Sequence, residues 1–355
     1  MKHAAAHTFL SFIKKEFFHI FRDVRTMLII VGIPVTQILI IGFAVSTEVK
    51  QVPTAVYDPL KDASTRAVIE QLRASELFDV RTMLEHPDEI DRVFERGEAS
   101  LVVVFGEASV QLVVDATDPN QGTTTAEYAS NIIHTAGASP LQIVPEVEML
   151  YNPELRSSYN FVPGLMGLIF MIICAMMTSI AIVREKETGT MEVLLASPVK
   201  PAHIVVSKMI PYFLISWVIF VLILLLSVFV LNVPVSGNLV WLNVLTLLFI
   251  LVALSLGLLI STLVKTQVAA MLVSSMGLMM PVMILSGFIF PIESIPAALQ
   301  AISAVIPARW YIAGAKKLMI EGVPVYRVAK EMLVLAGMAT GIILISLRNF
   351  KTRLE

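Results

Sequence analysis

The chain has 355 residues, of which 56% are hydrophobic and 15% charged. With a mean hydropathy of +0.80 it belongs with integral membrane proteins rather than soluble globular ones. A formal net charge of -2 without any block of clustered Lys and Arg excludes a nucleic-acid-binding surface. The single cysteine, Cys174, excludes an intrachain disulfide, and the histidines are scattered rather than gathered as metal ligands.

Residues 1–26 alternate Phe9, Ile13, Phe17, Ile20 and Val24 with Lys14, Lys15, Arg22 and Arg25. This is the pattern of a helix lying in the headgroup plane on the cytoplasmic side. Such a helix serves either as a plain anchor or as a lever joining cytoplasmic events to the first span. Residues 27–46 are that span. Ala44 and Ser46 resemble a signal-peptide cleavage site, but Glu16, Asp23 and the length of the apolar stretch argue against cleavage.

Length and lack of charge pick out six candidate spans: Met27 to Ser46, Val162 to Val183, Pro211 to Leu231, Val240 to Val264, Val268 to Phe290, and Met332 to Leu347. Basic residues set the orientation. Lys2, Lys14, Lys15, Arg22 and Arg25 precede span one; Arg184, Lys186, Lys200 and Lys208 follow span two; Arg348, Lys351 and Arg353 lie in the tail at 348–355. The positive-inside rule makes all three cytoplasmic and puts residues 47–161 outside. Arg309, Lys316, Lys317, Arg327 and Lys330 run against the rule, because six spans put them outside too.

Residues 47–161 read as an inserted α/β domain. Val52 to Tyr57, Leu101 to Phe105 and Val110 to Asp115 are β-branched runs; Ser64 to Arg73, Pro87 to Arg96 and Thr123 to Thr135 have helical spacing, with Pro87 as a first helical residue. Asp115, Asp118 and Asn120 do not have the spacing of a calcium loop, and acidic turn residues after a strand are ordinary. The core that follows, 162–347, carries a polar island directly after span two. In that island, residues 184–201, Arg184 to Glu187 extend the span as helix and Gly189 breaks it. Met191, Val193, Leu194 and Leu195 then form a short apolar-faced helix stopped near Pro198. A hairpin of this kind is suited to docking a soluble partner, although a loop stiffened by charge pairs has the same spacing. Residues 291–307, fenced by prolines, predict a short outer helix from Pro296 to Val305 rather than a seventh span.

Arg-Glu-Lys-Glu-x-Gly-Thr-x-Glu-x-Leu-Leu-x-Ser-Pro from Arg184 to Pro198 resembles the signature of membrane subunits of type-2 ABC exporters. The Lys15, Glu16 and Arg22, Asp23 pattern, the large outer domain and the stretch from Gly287 to Pro296 are similar to the drug-efflux branch of that family. Arg309, Trp310, Tyr311, Lys316 and Lys317 depart from its pattern. The resemblance implies an α-helical membrane protein of six transmembrane helices with an extracytoplasmic α/β insertion, sitting in a bacterial inner membrane with both termini cytoplasmic. It implies a coupling hairpin whose Glu187, Gly189, Thr190, Glu192 and Leu195 contact a separate cytoplasmic ATPase. It further implies a second permease copy, identical or related, around the substrate path.

No Gly-x-x-x-x-Gly-Lys-Ser/Thr phosphate loop occurs in the chain, so it is expected to be a transport subunit without enzymatic activity, holding no cofactor, with ATP and Mg on the partner. The other expected surroundings are membrane lipid, and no nucleic acid. An ion-coupled secondary transporter is the first alternative, but the six spans hold no Asp, Glu, Lys, Arg or His between their ends. A membrane sensor with an outer ligand-binding domain is the second. Spans two and five are the Met- and Ser-rich ones, and Met177, Thr178, Ser274 and Ser275 are the candidate lining of a path for hydrophobic or amphipathic compounds. Packing against lipid or neighbouring helices is the competing role for each.

Overall fold

The computed structural model describes residues 11, 13–18, 20–44, 51–106, 109–115, 119–136, 156–190 and 201–352. They fall into two compact units, 47–155 and the remainder of the chain.

The smaller unit is built on four strands, β1 Val52–Tyr57, β2 Phe78–Leu84, β3 Leu101–Phe105 and β4 Val110–Val114, in the order β2-β1-β3-β4. β1 runs parallel to both β2 and β3, and β4 pairs antiparallel with β3. Parallel neighbours need crossovers, which come from the short helices α3 Ala63–Ala74 and α4 Glu89–Glu95; α5 Pro119–Ala136 follows β4. The sheet has an apolar core on each face. Leu101, Val103 and Phe105 pack with Val68, Ile69, Leu72 and Ala129 of α3 and α5. Val102 points the other way, toward Val93 of α4. Burial on both faces explains why β3 reads as an unbroken Leu-Val-Val-Val-Phe run.

Two departures from the sequence reading lie here. β2 was not expected, because Asp79 and Arg81, paired with each other at 2.5 Å, break the apolar signal of that edge strand. Pro87 is not the first helical residue: α4 begins at Glu89 after Asp88, and Glu89 turns back to accept from the amides of Glu85 and His86. Those two N–H groups hold the Glu89 carboxyl below its ordinary pKa. At α3 the N-cap Asp62 accepts from the Thr65 amide at 2.8 Å, which lowers its pKa in the same way.

The larger unit is helical. Residues 24–44 run as α1 Val24–Met27, a π-helical stretch Leu28–Gly32, and α2 Ile33–Ala44. Pro34 has no N–H to return to the preceding turn, which accounts for the widened stretch before it. The remaining long helices are α6 Ser157–Glu187, α7 Pro201–Phe229, α8 Leu239–Leu263, α9 Gln267–Leu285 and α12 Ala329–Thr352; α10 Ala297–Ser303 and α11 Pro307–Met319 are short. Among the described residues five helices are long and apolar enough to cross a membrane, and Leu28–Ile41 is a shorter apolar one. The protein is therefore a multi-pass α-helical membrane protein with an inserted α/β region.

α6 and α8 form the centre. Gly257 of α8 lies so close to α6 that an added Cβ would stand 2.3 Å from the Ala175 carbonyl oxygen. Gly167 likewise admits Ile312 of α11, and Phe249 stacks on Tyr311 with ring centroids 4.4 Å apart. Small residues at these crossings let backbones approach, which is how helices gain contact where lipid supplies no hydrophobic contrast. α9 ends at Leu285 rather than Phe290, α7 begins ten residues before the expected Pro211, and Pro296 caps α10 as anticipated.

The basic residues between α9 and α12 have local uses. Lys317 pairs with Glu331 at 2.7 Å, Lys316 donates to the Gly287 carbonyl, and Arg309 donates to the Gln300 carbonyl and Ser303 Oγ. Arg309 and Lys330 both lie over the Trp310 ring.

Candidate functional site

The hairpin begins where α6 leaves its apolar stretch. The Thr188 amide and Oγ1 both donate to the Arg184 carbonyl, the Gly189 amide donates to the Lys186 carbonyl, and Gly189 then takes φ of +74°. An added Cβ there would meet nothing, so glycine is required by the left-handed backbone and not by crowding. Thr190 donates from Oγ1 to Glu185, closing the turn onto the helix it leaves. Glu187, expected to face a partner, accepts from both the backbone N–H and the side-chain amide of Gln267 at 3.0 and 2.9 Å, tying the hairpin to the start of α9. Gly189 and Thr190 are exposed. Glu192 and Leu195 lie outside the described residues.

Beneath the turn lies a buried ionic triad. Lys208 Nζ is 2.9 Å from Glu16 and 3.0 Å from Glu185, with side-chain exposures of 6% for Lys208, 10% for Glu16 and 15% for Glu185. Three separate pieces meet at this one ammonium: the N-terminal helical segment, the root of the hairpin, and the first turns of α7. Desolvated charges persist only when paired, so the triad fixes the geometry of all three. Sequence reasoning named Lys15, Glu16 and Lys208 singly and missed the cluster, since Glu16 and Lys208 are 192 positions apart. The available signal was the position of Lys208, three residues before an apolar run.

The three residues of the triad line a cavity of about 710 Å³ that is also lined by apolar side chains of α2, α6 and α9. Two candidate path residues line it: Met177, buried on α6, and the half-buried Ser275 on α9. The other two turn into helix packing. Thr178 is buried against α8, its Cβ 2.8 Å from the position of a Cβ on Gly257, and its Oγ1 has no hydrogen-bond partner among the described residues. Ser274 shares a 2.8 Å hydrogen bond with Ser179 of α6. The Met-rich faces of α6 and α9 come together at the cavity through Met176, Met177 and Met271. Elsewhere they diverge: Met166 and Met171 are in the core, whereas Met276, Met279 and Met280 are exposed. Among the described residues no group of His, Cys, Asp or Glu is placed to hold a metal ion.

Packed membrane-length helices, a polar turn projecting from one of them and an inserted α/β unit define a polytopic permease. Residues 25–348 match the family described as ABC-2 family transporter protein, and the chain belongs to that family. It is similar to the probable multidrug ABC transporter permease YbhS of Escherichia coli K12, at 29% identity covering 96% of this chain and 95% of that protein. YbhR of the same strain, also named a probable multidrug ABC transporter permease, is 26% identical over 89% of this chain and 90% of its own length. The inner membrane transport permease YhhJ is 27% identical over 70% and 69%.

Proposed function

We propose that the chain is the membrane subunit of an ATP-driven exporter that moves hydrophobic or amphipathic, drug-like compounds out of the cytoplasm or the inner leaflet. A separate ATPase docks on residues 184–201, and a second copy of this chain, or a related one, completes the path. The termini face the cytoplasm, residues 47–161 lie outside, and the membrane is a bacterial inner membrane. The observation that carries the reading is the turn after α6: it is exposed at Gly189 and Thr190 and is anchored by the Lys208 triad to two other elements at its root. Motion imposed on such a turn passes into α6, which borders the cavity. The multidrug naming of the relatives supports the substrate class.

Gly189→Pro forbids the left-handed turn, and Glu192→Lys reverses a charge on the segment the family uses for contact. In the reconstituted complex each variant is expected to remain inserted while substrate-stimulated ATPase and transport fall together. Normal coupled transport in both removes the assignment. Impermeant maleimide should label a cysteine placed at Ser130 from the outside of intact cells, or of spheroplasts where an outer membrane intervenes. Labelling seen only after the inner membrane is opened would reverse the orientation.

A further inference from the structure

The cavity beneath the hairpin has charged groups of two kinds. Its carboxylates are occupied: Glu16 and Glu185 both bind Lys208, Glu185 also accepts from Thr190, and Asp23 is engaged as well. Its cations are not all occupied. Lys15 and Arg184 line the same cavity and are exposed, and their side chains make no hydrogen bond or ion pair among the described residues; Lys15 lies electrostatically near Glu185 and Arg184 near Tyr212. Ile29, Ile33, Met176, Met177 and Met271 are among its apolar lining. Free donors at one end and flexible thioethers and isoleucines along the rest make an amphipathic receptacle, and about 710 Å³ is within the range of pockets that enclose a drug-sized molecule.

We propose that this cavity binds an anionic amphiphile, its carboxylate, sulfonate or phosphate head between Lys15 and Arg184 and its tail along Met176, Met177 and Met271. The proposal rests on the exporter reading for its role and sharpens it to one charge class. A cationic head finds no vacant acceptor of equal quality, because Glu16 and Glu185 are already bound to a buried ammonium and Asp23 is engaged as well. A guanidinium and an ammonium lining the same cavity, by contrast, offer charge-assisted hydrogen bonds to an anion without disturbing the triad. The same head chemistry is presented by a free amphiphile and by an anionic phospholipid of the inner leaflet.

The test uses the full-length chain in nanodiscs of phosphatidylcholine, with empty nanodiscs as the partition control. The probes are dansyl-undecanoic acid and a trimethylammonium probe with the same dansyl-undecyl tail. The acid is expected to bind about ten-fold more tightly than the ammonium probe, and K15Q/R184Q to lose about ten-fold for the acid alone. The charge-conserving K15R/R184K should restore the preference, while Met177→Trp, which fills the apolar end, should weaken both probes. Equal affinity for the two probes, or a preference unchanged in K15Q/R184Q, overturns the proposal. Adding phosphatidylglycerol separates the sources of the anion: displacement of the acid assigns the site to a lipid head, and its retention assigns it to a free amphiphile. Binding that keeps this charge preference, with no ATP-driven movement of the acid in the complex with the ATPase, would remove the exporter reading and leave the site standing.

Discussion

α6 and α9 are both uninterrupted apolar helices with methionines and serines, yet 78% of the apolar window of α6 is buried inside the molecule and 17% of that of α9. The difference lies in small residues and in what they meet. Gly164 and Gly167 of α6 lie against Phe288 and Ile312, and Ala175 of α6 receives Gly257. A Cβ added at Gly277 of α9 would meet, among the described residues, only the Val273 side chain of its own helix, at 3.8 Å. Hydrophobicity thus places both helices in the membrane without saying which one is the core. α6 is held from several sides within the molecule. α9 presents Met276 and Met280, each 69% exposed, on a flexible apolar surface.

The comparison can be broken most forcefully at the root of α6. Lys208→Met leaves two carboxylates buried around no cation, and should cost roughly 3–5 kcal/mol. Pairing it with Glu16→Leu should recover part of the loss. Thermal unfolding of the purified full chain measures both, and a single variant that melts as the parent does would mean that the triad does not fix this end of α6. Gly257→Val comes next, because the added side chain runs into the backbone of α6 and not into a flexible group. A loss of about 3 kcal/mol, at the upper end of ordinary overpacking, is expected, whereas Gly277→Val in α9 should fold and melt normally apart from a small backbone effect.

Finer tests lie along the seam between the two helices. Ser179→Ala and Ser274→Ala each remove one side of the buried hydrogen bond between the membrane-embedded parts of α6 and α9. Their double-mutant coupling should be about 0.6 kcal/mol, typical of such bonds in membrane proteins; a coupling near zero would mean that this bond does not help to join the pair. The smallest effect belongs to the exposed face. Met276→Leu should change stability by no more than about 0.5 kcal/mol, and a larger loss in the isolated chain would show that α9 is packed within one copy.

Much of the architecture was legible in the residues because the signals are local. β1 and β3 stand at the expected bounds, and Gly189 takes the left-handed turn that a break after a charged helical turn requires. The candidate path divided instead. Met177 and Ser275 face the cavity, while Thr178 and Ser274, one position away from each, turn into packing. On a helix each residue is rotated by about 100° from the last, so adjacent positions have different neighbours and only the arrangement of helices says which.

The sequence by itself determined that this is a membrane protein with an inserted α/β unit and a polar turn after the second apolar run, since length, apolar content and a glycine at a helix end act over a few residues at a time, and its motif from Arg184 to Pro198 carried the family resemblance. The tertiary structure alone decided that Lys208 gathers Glu16 and Glu185, that Glu187 is held by Gln267, that α6 is inside and α9 is not, and that Lys15 and Arg184 edge one cavity. Those facts join residues up to 192 positions apart. Their cause is the packing of whole helices, whose mutual rotation sets every burial and every ion pair and is written in no single stretch of chain.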